Sequence, residues 1–498
     1  MNKQTYHQPN SKMKQRETVI MNAATLNPSS VVKPVGKLAL SIALALALTT
    51  TGCALQSKVP ALLQSDILAG FLMQPDAVDI AWPQSDWWQN FQSSELSALI
   101  AQVQAGNLSL ASNQRNLQSA QLTLRDAGFN LLPRVNVGVG VGAGYQQARV
   151  NNQSTSASTN SPFELAATLS YTDLLAKPAI YTQSVASYDS REAAIADATL
   201  NTLGTSASTY FQLLLIRDKL EAARQNVANA QAISNIVDAR VDAGVAVPLE
   251  ALQQQIALQR EQANLRSLQQ SDFAARASLA LLSGQSVQGF EVTTQSLVAI
   301  RVPQIAPGLP SELLQRRPDL VQAEAELRSA VAGMDIARSD YFPSISLTGN
   351  VSASSSSLSE LIQSPDLFIN AGTSVLQTLL DTGQRSRNLE RNQLTVENGL
   401  ASYRQSVLFA FNEIDVLLGA MRLQQEQVAV GLSNLGAAEE AFRIAQVRYE
   451  EGVLDFQTVL ISQNTLYSTR NAYLDAILLQ LNTAVNLFVA LGGGWQTA

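Results

Sequence analysis

One histidine and one cysteine occur in the 498 residues, His7 and Cys53, so the side chains most used for nucleophilic, acid–base and metal chemistry are almost absent. Both lie near the amino terminus, in or at the edge of a segment ordered like an export signal. If that segment is removed and Cys53 is acylated, the working chain keeps neither group free. Ser-His-Asp and Cys-His catalysis, His or Cys metal sites, iron–sulfur clusters and disulfides are then excluded together. Carboxylates remain, but Glu439 with Glu440 and Glu450 with Glu451 read as solvated helix faces, and no compact acidic calcium loop is present. No Gly-x-x-x-x-Gly-Lys-Ser/Thr loop occurs either. Gly138, Gly140, Gly142 and Gly144 alternate as in a strand instead of opening a helix, which gives phosphate no cradle. The expectation is a chain that is not an enzyme and carries no cofactor or metal.

Charge narrows the partners. With 33 Lys plus Arg against 40 Asp plus Glu, the formal charge is −7. Residues 1–52 hold Lys3, Lys12, Lys14, Arg16, Lys33 and Lys37 against Glu17, a net +5 that leaves −12 for the remainder. Nucleic acid is not an expected partner of so acidic a chain. After Lys37 comes LALSIALALAL, Leu38 to Leu48, then TTTGC. This apolar run is too short for the roughly 20 residues a helix needs to cross a bilayer, so 1–52 is read as a signal peptide. A Cys after Gly52 resembles a bacterial lipoprotein signal, with Thr50 standing where Leu is usual and Ala54 where a retention signal often has Asp. That resemblance makes Cys53 the acylated first residue of a chain delivered to the outer membrane; an ordinary signal peptide with an incidental cysteine is the alternative.

The rest is written twice. LLPRVNVGVG at 131–140 lines up with YFPSISLTGN at 341–350, and ARVDAGVAVPLEAL at 239–252 with VRYEEGVLDFQTVL at 447–460. The near-constant offset implies two structural repeats, 53–302 and 303–498, joined by a linker holding Pro303, Pro307 and Pro310. Each repeat reads as helix, two strands, a very long helix, a tight turn and a returning helix. The stretches 178–243 and 386–451 are rods of about 100 Å at helical rise. Gly244 and Gly452 close them, and the chain returns over 248–282 and 456–490.

Before each rod, two segments alternate with a period of two. Val135, Val137, Val139 and Val141 oppose Asn136 and the glycines within 135–145; Phe163, Leu165, Ala167, Leu169 and Tyr171 form the next apolar set. The second repeat has Ile345, Leu347, Val351 and Ala353, then a weaker strand near 367–376. Polar loops, 151–162 and 354–366, separate the members of each pair. Strands of about ten residues with one apolar face suit a transmembrane barrel; two soluble hairpins packed on the helices are the alternative. Four strands cannot close a membrane barrel, so the barrel must be shared. Three copies give twelve strands and a cylinder of twelve helices.

At these residues the chain resembles the outer-membrane factor family, the TolC-type exit ducts of Gram-negative tripartite machines. The most specific stretch is LPSELLQRRPDLVQAEAELRSAVAGMDIARSDYFPSISLTGN at 309–350, a hallmark of the lipoprotein branch serving resistance-nodulation-division pumps. Trp87, Trp88, Phe91, Leu96, Leu99, Ile100 and Asn107 add to it. The resemblance implies a mainly α fold with a small β part: a homotrimer whose 12-stranded β-barrel, in contact with outer-membrane lipid, continues as an α-helical barrel through the periplasm. It implies docking of a periplasmic adaptor, and through it an inner-membrane transporter, at a tip formed by Arg240, Gly244, Val245, Arg448, Gly452 and Val453. It also implies an aperture that closes at rest, for which Tyr449, Asp455, Thr458 and Ile461 are the candidates. Thr458 and Ile461 stand where relatives often carry acids, and DLLAKPA at 173–179 lacks the Gly and Arg that DTGQR keeps at 381–385.

The expected function is a passive exit duct for drugs or other toxic small solutes. An exit duct for type I protein secretion and a non-conducting periplasmic scaffold or adhesin are the alternatives. Arg240, with Asp238 and Asp242, and Arg448, with Glu450 and Glu451, read either as locks between rods or as solvated helix-end charge.

Overall fold

The computed structural model describes residues 57–61, 70–72, 82–141, 146–150, 153–157, 163–305 and 310–495; the export segment, Cys53, Pro307, Gly142 and Gly144 lie outside them. Rods form where Ala, Leu, Gln, Glu and Arg dominate and proline is confined to a first turn. Two shorter helices come first: α1 (Ser94–Gly106), capped by Ser93 accepting from the Leu96 amide, and α2 (Leu108–Phe129), capped by Asn107. The first rod, α3 (Lys177–Asp242), has 66 residues and opens on Pro178; its return, α4 (Pro248–Leu282), has 35. Then come α5 (Pro310–Arg316), α6 (Pro318–Ser339) and the short α7 (Leu358–Gln363). The second rod, α8 (Gln384–Glu450), has 67 residues, and α9 (Phe456–Ala490) returns over 35. Gly204, the one glycine inside α3, lets this rod approach α9: a Cβ there would lie 2.8 Å from Val489.

The strands are β1 (Arg134–Val141), β2 (Gln146–Val150), β3 (Gln153–Ala157), β4 (Phe163–Tyr171), β5 (Ser344–Ser355) and β6 (Asp366–Leu376). Two details differ from the sequence reading. The strand expected over 135–145 is described from Arg134 to Val141, with Gln146 already in β2, and β2 with β3 forms a separate hairpin reaching into the supposed loop at 151–162. QSTSA is polar at every position but Ala157, so alternation gives no sign of that strand. The loop at 354–366 likewise contains α7, whose signal was present: Ser357 accepts from the Glu360 amide, as Ser-x-x-Glu caps do.

β1, β4, β5 and β6 form one antiparallel sheet in that order, the two repeats meeting at β4 and β5. Register brings the apolar sets onto one face. Val139 stands opposite Leu165, Leu165 opposite Ala353 and Ala353 opposite Leu367; Val137, Ala167, Val351 and Ile369 make the next row. The other face carries Asn136, Thr168, Asn350 and Asn370 with their small polar neighbours. The outer edges of β1 and β6 pair with nothing among the described residues.

The helices also form a layer with two open edges. Toward the sheet the neighbours run α2, α3, α6, α8; toward the turns they run α4, α3, α9, α8. Each edge exposes apolar side chains. On α8, Phe409, Val416, Leu423 and Val430 recur every seventh residue and are 60–69% exposed. Across the layer, Leu108, Leu122 and Phe129 of α2 and Leu249, Leu252, Ile256, Phe273 and Leu281 of α4 are exposed as well. Among the described residues one helix, Phe456–Ala490, is long and apolar enough to cross a membrane by length and composition. Half of its most apolar window is buried in the chain's own cores.

Trp87 and Trp88 belong to the largest of the buried cores. Trp87 is fully buried and stacks on Phe488 of α9 at 5.3 Å, with Phe91, Tyr210 and Phe211 around it. Glu95 ties the segment after α4 onto this core. Its carboxylate accepts from the amides of Thr293 and Thr294 and from the hydroxyls of Thr293 and Tyr210. Burial alone would raise this carboxyl, but the bonds from Thr294 and Thr293 outweigh it and hold it at about 2, against 4.5 when free. A depressed folded value means that the stabilisation is complete above pH 4.5 and is lost as pH falls through about 2. Glu95→Gln should cost roughly 1–2 kcal/mol at pH 7, a figure already discounted for partial exposure. Melting curves between pH 7 and pH 2 check this, the difference between the two proteins vanishing at the acid end.

Candidate functional site at the hairpin turns

The two rods end in the same backbone motif. At α3, Gly244 has φ +73° and its amide donates to the Val241 carbonyl, while the Val245 amide donates to Arg240. At α8, Gly452 has φ +75°, its amide donates to Tyr449, and Val453 donates to Arg448. This six-to-one and five-to-two pair closes a helix through a left-handed residue, a conformation glycine adopts without steric cost. The residue after the glycine usually packs back on its own helix. Here Val245 and Val453 are 66% and 72% exposed instead, with Val247 and Leu249 beside the first turn. Both turns therefore present apolar tips to the solvent.

Arg240 and Arg448 hold equivalent positions and do different things. The Arg240 guanidinium lies over the Tyr449 ring, 4.8 Å from its centroid, and Nη1 donates to the Tyr449 carbonyl at 3.0 Å. It thus sits at the carboxyl end of α8, where the helix dipole favours a cation. The Tyr449 hydroxyl donates to Glu250 of α4 at 3.4 Å. Burial, then the Glu250 charge, raises the Tyr449 hydroxyl above its ordinary value, so it remains a donor at physiological pH. Arg448 is exposed and has no partner among the described residues. The arrangement is asymmetric because the first repeat has Val241 where the second has Tyr449.

Around this clasp lies a small separate core: Ile233 and Val237 of α3, Phe442 and Ala445 of α8, Phe456 and Val459 of α9. Tyr449, 2% exposed, belongs to it and meets Phe456 at 5.8 Å. Tyr449 therefore fastens the two hairpins of one chain. Asp455 and Thr458 form the cap of α9: the Asp455 carboxylate accepts from the Thr458 amide and hydroxyl, bonds that hold the carboxyl below its usual value. Ile461, the fourth aperture candidate, is exposed beyond that cap. Sequence reading missed Glu250. It follows Pro248 in the first turn of α4, where an acid is ordinary, and nothing local reveals that Tyr449 lies opposite.

A family model described as outer membrane efflux protein matches the chain twice, over residues 99–285 and 309–493. In sequence the chain is 30% identical over 429 residues to the pyoverdine export outer membrane protein OpmQ of Pseudomonas aeruginosa, covering 85% of this chain and 89% of that protein. It is 26% identical over 463 residues to the cation efflux system protein CusC of Escherichia coli, covering 90% and 97%. In structure it is similar to the outer-membrane channel OprN, with a TM-score of 0.79 at 25% identity over 89% of this chain and 99% of that one.

Proposed function

We propose, because this chain belongs to the outer membrane efflux protein family, that three copies assemble into one duct carrying small solutes out of the periplasm. The observation that carries the trimer is the pair of open edges. A sheet with unpaired β1 and β6 and a helix layer with apolar stripes on α8, α2 and α4 are each incomplete in a single chain. Unpaired strand edges cannot stand in hydrocarbon, and exposed heptad stripes are coiled-coil seams. One rotation completes both, giving twelve strands and a cylinder of twelve helices. An apolar face across all four strands supports insertion in lipid, with the polar face turned to the lumen.

The exposed tips Val245 and Val453 and the unpartnered Arg448 support docking of an adaptor at the turns, with Arg240, Gly244 and Gly452 setting their shape. An inner-membrane transporter would load the duct through that adaptor. Tyr449, Asp455, Thr458 and Ile461 act at the aperture in two ways: Tyr449 by fastening the hairpins, the others by shaping the start of α9. The repeats 53–302 and 303–498 are the two halves of each wall.

Acylation of Cys53 also has support. Ser57, four residues later, donates through its amide and hydroxyl to the buried Asp335 near the end of α6, six residues before Tyr341 leads into β5. Four extended residues reach at most about 14 Å, so this contact limits how far from the base of the sheet an acyl group on Cys53 could be attached.

The test is the mass of the detergent-extracted particle, by protein and by acyl content, together with its conductance in planar bilayers. Three acylated chains and discrete ion-conducting steps are expected. A water-soluble monomer, or a particle without conductance, overturns the duct in favour of a scaffold.

A further inference from the structure

The polar face of the sheet holds two anomalies at opposite edges. Phe368 of β6 is the one aromatic side chain on that face among the described residues; it stands 55% exposed opposite Ser352, with Asn370 and Asp366 as its neighbours on the strand. On β1 the same face carries Gly138 and Gly140, and the sequence continues the alternation beyond the described strand. Glycine weakens a strand, so its repetition needs a reason. The chain itself supplies none. A Cβ at Gly138 would meet nothing within 4 Å, and one at Gly140 would meet only Glu164, at an ordinary 3.7 Å.

The reason lies across the open edges. In the shared barrel proposed above, on which this inference rests, β6 of one copy pairs with β1 of the next. Both apolar faces must point to lipid, so even-numbered residues of β6 stand opposite even-numbered residues of β1. Phe368 belongs to the half of β6 remote from the rods, and glycine occupies the corresponding half of the polar face of β1. We propose that the Phe368 ring of each copy lies across the glycine track, Gly138 and Gly140, of β1 in the neighbouring copy, packing on its backbone and covering the seam from the lumen side. An aromatic ring over a facing glycine replaces the side-chain contact that the glycine lacks. The pairing also selects the register: a slip by one residue would turn Phe368 outward and the valines of β1 inward.

Cysteines at Phe368 and Gly140 in the full acylated chain test this, using a bis-maleimide that spans the ~8 Å of opposite or diagonal neighbours. F368C with G140C should give covalent dimers and trimers on denaturing gels. F368C with V139C, whose second site lies on the lipid face, should not, and neither should either cysteine of the first pair alone. F368A should dissociate in detergent about tenfold faster than the unchanged protein, and F368W should restore the slow rate. Equal cross-linking of both pairs, no cross-linking in a particle with the mass of three chains, or an unchanged dissociation rate in F368A would each overturn the seam. A monomeric particle, recognised by mass alone, would overturn the shared barrel beneath it.

Discussion

Arg240→Ala will raise the resting conductance of the reconstituted channel by at least about tenfold, with little change in its thermal melting. The guanidinium joins the two hairpins of a chain at their ends through the Tyr449 ring and the Tyr449 carbonyl in the last turn of α8. A half-desolvated cation over an aromatic face contributes about 1–2 kcal/mol, and a charged hydrogen bond a similar amount that is not fully additive. Losing about 2 kcal/mol from the fastened state shifts its balance with a parted state roughly thirtyfold. Arg240→Lys keeps the charge but not the planar fork, and should fall between. Tyr449→Phe keeps the ring and loses only the bond to Glu250, for a smaller rise. Single-channel recording of the four proteins decides it, and equal resting currents would remove the clasp from any account of closure.

The second large effect is on assembly. Val416→Glu combined with Leu423→Glu should abolish the trimer, leaving a chain with intact helical circular dichroism that runs as a monomer in detergent. The stripe on α8 has no cover among the described residues of its own chain, so the two carboxylates stay solvated in the monomer and do not disturb its cores. In the trimer each would be buried against apolar residues of a neighbour, at several kcal/mol per unpaired charge and three times over. Gln425→Glu, off the stripe on the same helix, is the control and should leave a trimer. Analytical ultracentrifugation distinguishes the two; a trimer from the double variant would put the seam elsewhere.

Much of the fold is legible in the sequence because its signals are long. A rod of 66 residues is a composition and a missing proline, and the turns at Gly244 and Gly452 are set by one residue each. The returns 248–282 and 456–490 have the same bounds in sequence and structure, since Pro248 and Asp455 mark their starts locally. The hairpin of β2 and β3 was invisible because polar strands leave no periodic trace. The clasp was half visible. Arg240 and Tyr449 stand out as residues, but the contact between them does not, because it joins positions 209 apart.

What the sequence determined alone is the inventory: two repeats, two long helical hairpins, and strands with one apolar side. What only the tertiary structure decided is which faces coincide. Alternation tells that Val139, Leu165, Ala353 and Leu367 each face one side of their own strand; only register puts all four on the same side of a sheet. Likewise, an apolar stripe on α8 reads as core until the packing of α6 and α9 shows that it is left uncovered. The physical reason is that periodicity is a property of neighbours in the chain, whereas burial and pairing depend on residues brought together from hundreds of positions away.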